Sequence, residues 1–195
     1  MTTTEGINIT DNFLDSGDFE SLRSLMCNMK EFSTFPWAFA STVDYEGEGN
    51  RERFQFVHVF YINSAPVSAT DSSGIMGVFM EKLRPKALYR IKANLLTRTD
   101  TIEENEFHVD TDLGHNTSRS WTTSIFYVNT NDGYTEFQDG RLAMENTIVK
   151  SVANRMVTFP ANLMHRGTSC TNEKIRVVIN FNYVAPEGPR EDDMY

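Results

Sequence analysis

The sequence predicts a mainly β fold, an antiparallel sandwich or barrel with helices packed on its outside. Three observations carry this. Two amphipathic helical stretches fall before Leu88, every periodic segment after it is short and rich in β-branched or aromatic residues, and these segments are bounded by Gly, Asn, Asp or Pro.

The elements follow in order. Asp15 to Lys30 reads as a helix, because Phe19, Leu22, Met26 and Met29 recur at three- and four-residue steps and Asp15 or Ser16 offers an N-cap. Phe54 to Ile62, FQFVHVFYI, reads as a strand. Asp71 to Leu83 repeats the helical spacing with Ile75, Phe79 and Leu83 on one face, and Pro85 stops it. Strands are then expected near Tyr89 to Thr97, Glu106 to Val109, Trp121 to Asn129, Thr135 to Phe137, Thr147 to Val152, Arg155 to Phe159, Leu163 to Arg166 and Ile175 to Val184. The acidic tail EGPREDDMY is expected to fray.

A chain of 195 residues with a hydrophobic share of 39% suits one core and is short for two, so a single domain spanning 1–195 is expected. The net charge of −9, without a basic cluster, argues against nucleic acid as a partner. Cys27 and Cys170 are too few for a disulfide framework and lack zinc-knuckle spacing, so both are expected as free thiols in a reducing cytoplasm. No basic-then-apolar leader opens the sequence, and no apolar run approaches about eighteen residues, so neither export nor a membrane span is expected.

In FHVDTD, His108 and Asp110 are separated by one residue, so in an extended chain both leave the same face with Cα atoms about 7 Å apart. His165 is the third candidate. Two imidazoles and one carboxylate form a facial triad that leaves coordination positions open, the arrangement of non-haem iron oxygenases. Between His165 and Arg176 lies RGTSCTNEKI, whose centre is turn-rich and whose flanks are strand-like. A hairpin folded about Cys170 and Thr171 would set His165 and Arg176 opposite one another, with Cβ atoms about 5 Å apart.

The last strand, IRVVINFNY, alternates cleanly. Ile175, Val177, Ile179, Phe181 and Tyr183 make an apolar face, and Arg176, Val178, Asn180 and Asn182 make the other, which suits the wall of a polar pocket. In WTTSIFYVN the same alternation aligns Trp121, Thr123, Ile125, Tyr127 and Asn129, with Tyr127 expected to point inward.

The order of His-x-Asp, a Tyr-bearing strand, a Gly-x-Thr-x-Phe-like element and a distal His followed eleven residues later by Arg resembles the prolyl 4-hydroxylase-like 2-oxoglutarate and iron(II) dioxygenases. The resemblance covers Arg90 to Val184, through RIKANLL, FHVD, SIFYVN, GYTEF, MVTFPANLMHRG and IRVVINF. It implies a double-stranded β-helix, a cupin-like jelly roll, with 89–184 as the metal and co-substrate core, 1–88 as helical support and substrate-side elements, and 185–195 as a tail. It implies iron(II) held by His108, Asp110 and His165, and the distal carboxylate of 2-oxoglutarate held by Arg176 and Tyr127, with Thr135 and Asn180 as further pocket residues. Dioxygen is the implied second co-substrate, with ascorbate as an accessory reductant, and the implied reaction hydroxylates an unactivated C–H bond with release of succinate and carbon dioxide.

Two departures bear on the substrate. Asn105 stands where family members often carry Tyr, and Asp132 replaces the first Gly of the GGxTxF element, so hydroxylation of a prolyl residue is the weaker extension. The substrate is expected to be a peptide, a protein or a small molecule. The acidic segment RTDTIEENE is expected at the pocket rim as a solvated loop. Two rivals use the same residues: a zinc-dependent hydrolase, which needs a general base and gives Arg176 no purpose, and a non-catalytic jelly-roll binding module with structural histidines.

Overall fold

The computed structural model describes residues 3–4, 6–27, 34–43, 53–63, 65–67, 74–110, 121–138 and 146–186. The chain runs β1 (Thr3–Thr4), β2 (Ile7–Thr10), α1 (Ser16–Met26), β3 (Ala38–Ala40), β4 (Gln55–Ile62), β5 (Ala65–Pro66), α2 (Ile75–Leu83), β6 (Ala87–Thr97), β7 (Thr122–Tyr127), β8 (Tyr134–Phe137), β9 (Thr147–Lys150), β10 (Arg155–Pro160), β11 (His165–Gly167) and β12 (Ile175–Val184). The ends expected for the two helices, 28–30 and 71–73, lie outside the described residues, as does the acidic tail.

Among the described residues the strands form two antiparallel sheets. The larger has the order β1-β2-β10-β7-β12-β6-β4-β3, with β5 added on β4, and the smaller is β11-β8-β9. The fold is therefore mainly β with a jelly-roll core and helices outside, as expected. Alternation along the strands builds both layers of packing. Ala93, Phe126, Val177, Ile179 and Phe181 turn to one face of the larger sheet, where Phe19, Leu22 and Met26 of α1 and Phe79 of α2 bury against them. Phe79 lies edge-on to Phe126 at 5.0 Å and tilted against Phe181 at 4.8 Å. The other face contributes Ile125, Tyr127, Val157, Phe159 and Val178 to a second core, closed by Phe137 and Val149 of the smaller sheet.

α1 starts after Asp15, whose side chain makes no capping hydrogen bond. α2 ends at Arg84, held left-handed at φ 45°, immediately before Pro85. Among the described residues no helix is long and apolar enough to cross a membrane. Cys27 and Cys170 are both free.

Two local expectations are corrected. Residues Glu106 to Val109 form no strand: this stretch runs beside β11 with Asn105 N–H donating to Gly167 O at 3.0 Å and His108 N–H to His165 O at 2.9 Å. Between these two bonds Glu106 and Phe107 face Arg166 alone, and the ladder is bulged into isolated bridges. The hairpin is also absent. β11 pairs with β8, placing His165 opposite Phe137, whereas β12 pairs with β6, placing Arg176 opposite Leu96. The polar run between them is a crossover from one sheet to the other, tied down where Asp132 accepts from Thr171 N–H at 2.8 Å and from the Thr171 hydroxyl.

Candidate metal centre

His108, Asp110 and His165 offer one ligand atom each within 4.8 Å of one another. His108 is supplied by the bulged segment and His165 by β11. Each backbone amide donates to the other's carbonyl, at 2.9 and 3.0 Å, which brings the two rings to a centroid separation of 4.8 Å. The far side of each ring is engaged as well. His108 Nδ1 lies 3.0 Å from Glu106 O and His165 Nδ1 lies 3.0 Å from Leu163 O. With Nδ1–H donating to a carbonyl, the Nε2 lone pair of each ring is left for a metal. Those Nε2 atoms approach the Asp110 carboxylate to 4.0 and 3.8 Å.

Asp110 is held from the larger sheet. Arg90 Nη2 stands 3.1 Å from Asp110 Oδ1, Asn182 Nδ2 donates to Oδ2 at 3.3 Å, and Arg90 Nε donates to Asn182 Oδ1 at 2.9 Å. Asn182 also donates to Thr123 Oγ1 at 3.0 Å. Burial alone would raise the Asp110 carboxyl, but His165, Arg90, His108 and the Asn182 amide together hold it below its ordinary value. Burial has the opposite consequence for His165, 3% exposed between Phe159 and Phe137, whose imidazole is pushed below its ordinary value and so stays neutral and ligand-ready.

Arg176 lies in the same cavity, 3% exposed. Its Nε donates to Ser151 Oγ at 3.0 Å, and its Nη2 donates to Tyr134 O at 3.3 Å and Thr135 Oγ1 at 3.4 Å. No carboxylate among the described residues pairs with it. Burial lowers its pKa, with Tyr127 and Cys170 opposing. One close approach makes room for the arginine: a Cβ on Gly133 would come within 2.8 Å of Arg176 Cδ.

The cavity, about 650 Å³, joins the triad and Arg176, and Thr135 and Asn180 also line it. Tyr127 points inward as expected and is fully buried; its hydroxyl donates to Thr135 Oγ1 at 2.8 Å, and the Arg176 guanidinium carbon stands 5.8 Å from its ring centre. The acidic segment is indeed beside the cavity, through Asn105, and its carboxylates are partly neutralised: Glu103 pairs with Arg53 at 3.1 Å and Glu104 with Arg166 at 2.6 Å. Arg90, Asn182 and Ser151 were not singled out from sequence as site residues. The alternation in RIKANLL, which turns Arg90, Lys92 and Asn94 to the cavity, is the signal that points to Arg90.

No protein-family model matches the chain, and no curated protein does. Solved structures do. A prolyl hydroxylase in complex with a hypoxia inducible factor oxygen degradation domain peptide fragment from Trichoplax adhaerens is similar at a TM-score of 0.63 and 13% identity, over 93% of this chain and 84% of that one. A Pseudomonas putida prolyl-4-hydroxylase gives 0.55 and 13%, over 95% of each chain. The non-heme alpha ketoglutarate dependent epimerase SnoN from nogalamycin biosynthesis gives 0.59 and 14%, over 92% of this chain and 78% of that one. At these identities the likeness establishes the fold, that of the 2-oxoglutarate and iron(II) oxygenases.

Proposed function

We propose that this chain is a 2-oxoglutarate- and iron(II)-dependent dioxygenase that hydroxylates an unactivated C–H bond, releasing succinate and carbon dioxide. The observation that carries the reading is one cavity with two complementary anchors: three convergent ligand atoms and a buried Arg176 with no carboxylate partner among the described residues. A buried cation without a counter-ion costs several kcal/mol, of order 3–5, unless a ligand supplies the charge. A dicarboxylate that chelates a metal at one end and meets a guanidinium at the other satisfies both anchors.

In this reading His108, Asp110 and His165 hold iron(II), which supplies dioxygen activation coupled to oxidative decarboxylation when bound. Arg176 and Thr135 hold the distal carboxylate of 2-oxoglutarate, and Tyr127 orients Thr135 by donating to its hydroxyl oxygen. Arg90 and Asn182 fix the carboxylate of Asp110. Asn180 lines the same cavity. The chain is read as one catalytic domain working in a reducing cytoplasm, with ascorbate as reductant, on a peptide, protein or small-molecule substrate. The named neighbours make prolyl peptides the first class to assay.

The zinc hydrolase is disfavoured by the residues themselves. Asp110 is the one carboxylate lining the cavity among the described residues, and as a metal ligand it leaves no second carboxylate among them to act as general base. Calorimetry with anaerobically loaded iron(II) and N-oxalylglycine, beside an assay for succinate, tests the proposal. Metal-dependent N-oxalylglycine binding and succinate release are expected. Absence of both, or their survival in Asp110→Ala, refutes it.

A further inference from the structure

The charge of the cavity wall is out of keeping with the chain. The protein carries a net charge of −9, yet the described residues lining this cavity include three cationic side chains, Arg90, Lys92 and Arg176, and one carboxylate, Asp110. A divalent metal and the 2-oxoglutarate dianion cancel one another, so the filled site retains the positive excess.

Two of the three cations have work. Arg90 is bound to Asp110 and Asn182, and Arg176 to Ser151 and Thr135 with the co-substrate carboxylate to come. Lys92 has neither a hydrogen bond nor an ion pair from its side chain among the described residues, although it is only partly exposed. Burial lowers its pKa, Arg90 adds to that, and Asp110 opposes it. Its surroundings are polar and equally unused. Asn180 stands directly across the strand pair from Lys92, within side-chain reach, and Asn94 is the next residue on the same face. The Oδ1 atoms of Asn94 and Asn180 are buried without a hydrogen-bond partner, and both residues line the cavity. Both atoms are acceptors, so they call for an N–H or O–H group of a ligand, while the ammonium of Lys92, without an ion pair among the described residues, calls for an anionic one.

We propose that the substrate carries a carboxylate, bound by the ammonium of Lys92, beside an N–H or O–H group that donates to the Oδ1 atoms of Asn180 and Asn94. This rests on the oxygenase reading and adds the substrate's chemical class to it. The position suits the task. Lys92 sits on β6 between Arg90, which reaches the metal ligand Asp110, and Leu96, which pairs with Arg176, so an acid held there lies beside both the metal and the co-substrate. The volume of about 650 Å³ lies within the range of roughly 300–1,000 Å³ typical of ligand sites, room for 2-oxoglutarate and a second small acid or the acidic end of a peptide.

The test uses the full chain loaded with zinc and saturated with N-oxalylglycine, so that the first site is filled and silent. Binding of N-acetylated amino acids and of their primary amides is then read by saturation-transfer NMR. The acids are expected to bind and the matched amides not. Lys92→Met is expected to weaken the acids at least tenfold, about 1.4 kcal/mol, while Lys92→Arg retains them and N-oxalylglycine affinity holds in both. Equal binding of acids and amides, unchanged acid binding in Lys92→Met, or no acid binding at all overturns the inference and leaves the oxygenase reading intact. Loss of N-oxalylglycine affinity in Lys92→Met also overturns it, assigning Lys92 to the co-substrate. Failure of the unaltered protein to bind N-oxalylglycine removes the oxygenase reading itself, and the inference with it.

Discussion

His108 and His165 exchange two backbone hydrogen bonds, each amide donating to the other's carbonyl, at 2.9 and 3.0 Å. Two imidazoles fixed by their own main chains need little rearrangement to receive an ion, so affinity should depend on how Asp110 is presented to them. Arg90→Met and Asn182→Ala are expected to lower iron affinity about 10- to 100-fold without removing a ligand, measured by competition with a chromophoric chelator. Unchanged affinity in both would separate these residues from the metal.

Arg176→Met tests the other anchor. In the unliganded protein the exchange replaces a buried cation that has no carboxylate partner among the described residues by an apolar chain of similar length, so stability should rise, by about 1–4 kcal/mol. The response to ligand should be lost. N-oxalylglycine is expected to raise the melting temperature of the metal-loaded parent and to leave that of Arg176→Met in place. An equal rise in both proteins would detach Arg176 from the co-substrate.

Gly133→Ala probes the same anchor through the backbone. A Cβ there would lie 2.5 Å from Ser169 O and 2.8 Å from Arg176 Cδ, and main-chain oxygen cannot step aside as a flexible side chain would. A loss of about 1–3 kcal/mol in denaturant unfolding is expected, together with weaker 2-oxoglutarate binding as the guanidinium is displaced.

Acid should loosen the metal-free protein through His165. Its folded pKa is pushed below the ordinary 6.5 by burial, so below that value the unfolded chain takes up the proton first. The stability contributed is full above pH 6.5 and is lost as pH falls through the folded value. Urea unfolding of the metal-free protein from neutrality downward should show this slope, and His165→Gln should flatten it. A slope unchanged by that substitution would place the acid sensitivity elsewhere.

Period-two alternation made much of this architecture legible. IRVVINFNY declared both faces of β12, and the apolar one is buried against the helices while Arg176, Val178 and Asn180 line the cavity. Pairing was not legible in the same way. The run from Gly167 to Lys174 has the composition of a hairpin turn, and composition sets where a chain bends, not which strand it meets next. His165 and Arg176 do share the cavity, but they reach it from two sheets. The supports of Asp110 were hidden for a related reason. Arg90 and Asn182 approach it across 20 and 72 residues of chain, a closeness created by sheet order that no local pattern records.

The separate origin of the two anchors gives the molecule a mechanical character. The histidines belong to the smaller layer and its neighbouring segment, and the props of Asp110 to the larger. An ion coordinated by all three works as a rivet through both sheets. Chelation should therefore slacken the seam between the layers, and the amides of β8, β9 and β11 should exchange their hydrogens faster in its absence, whatever the substrate proves to be.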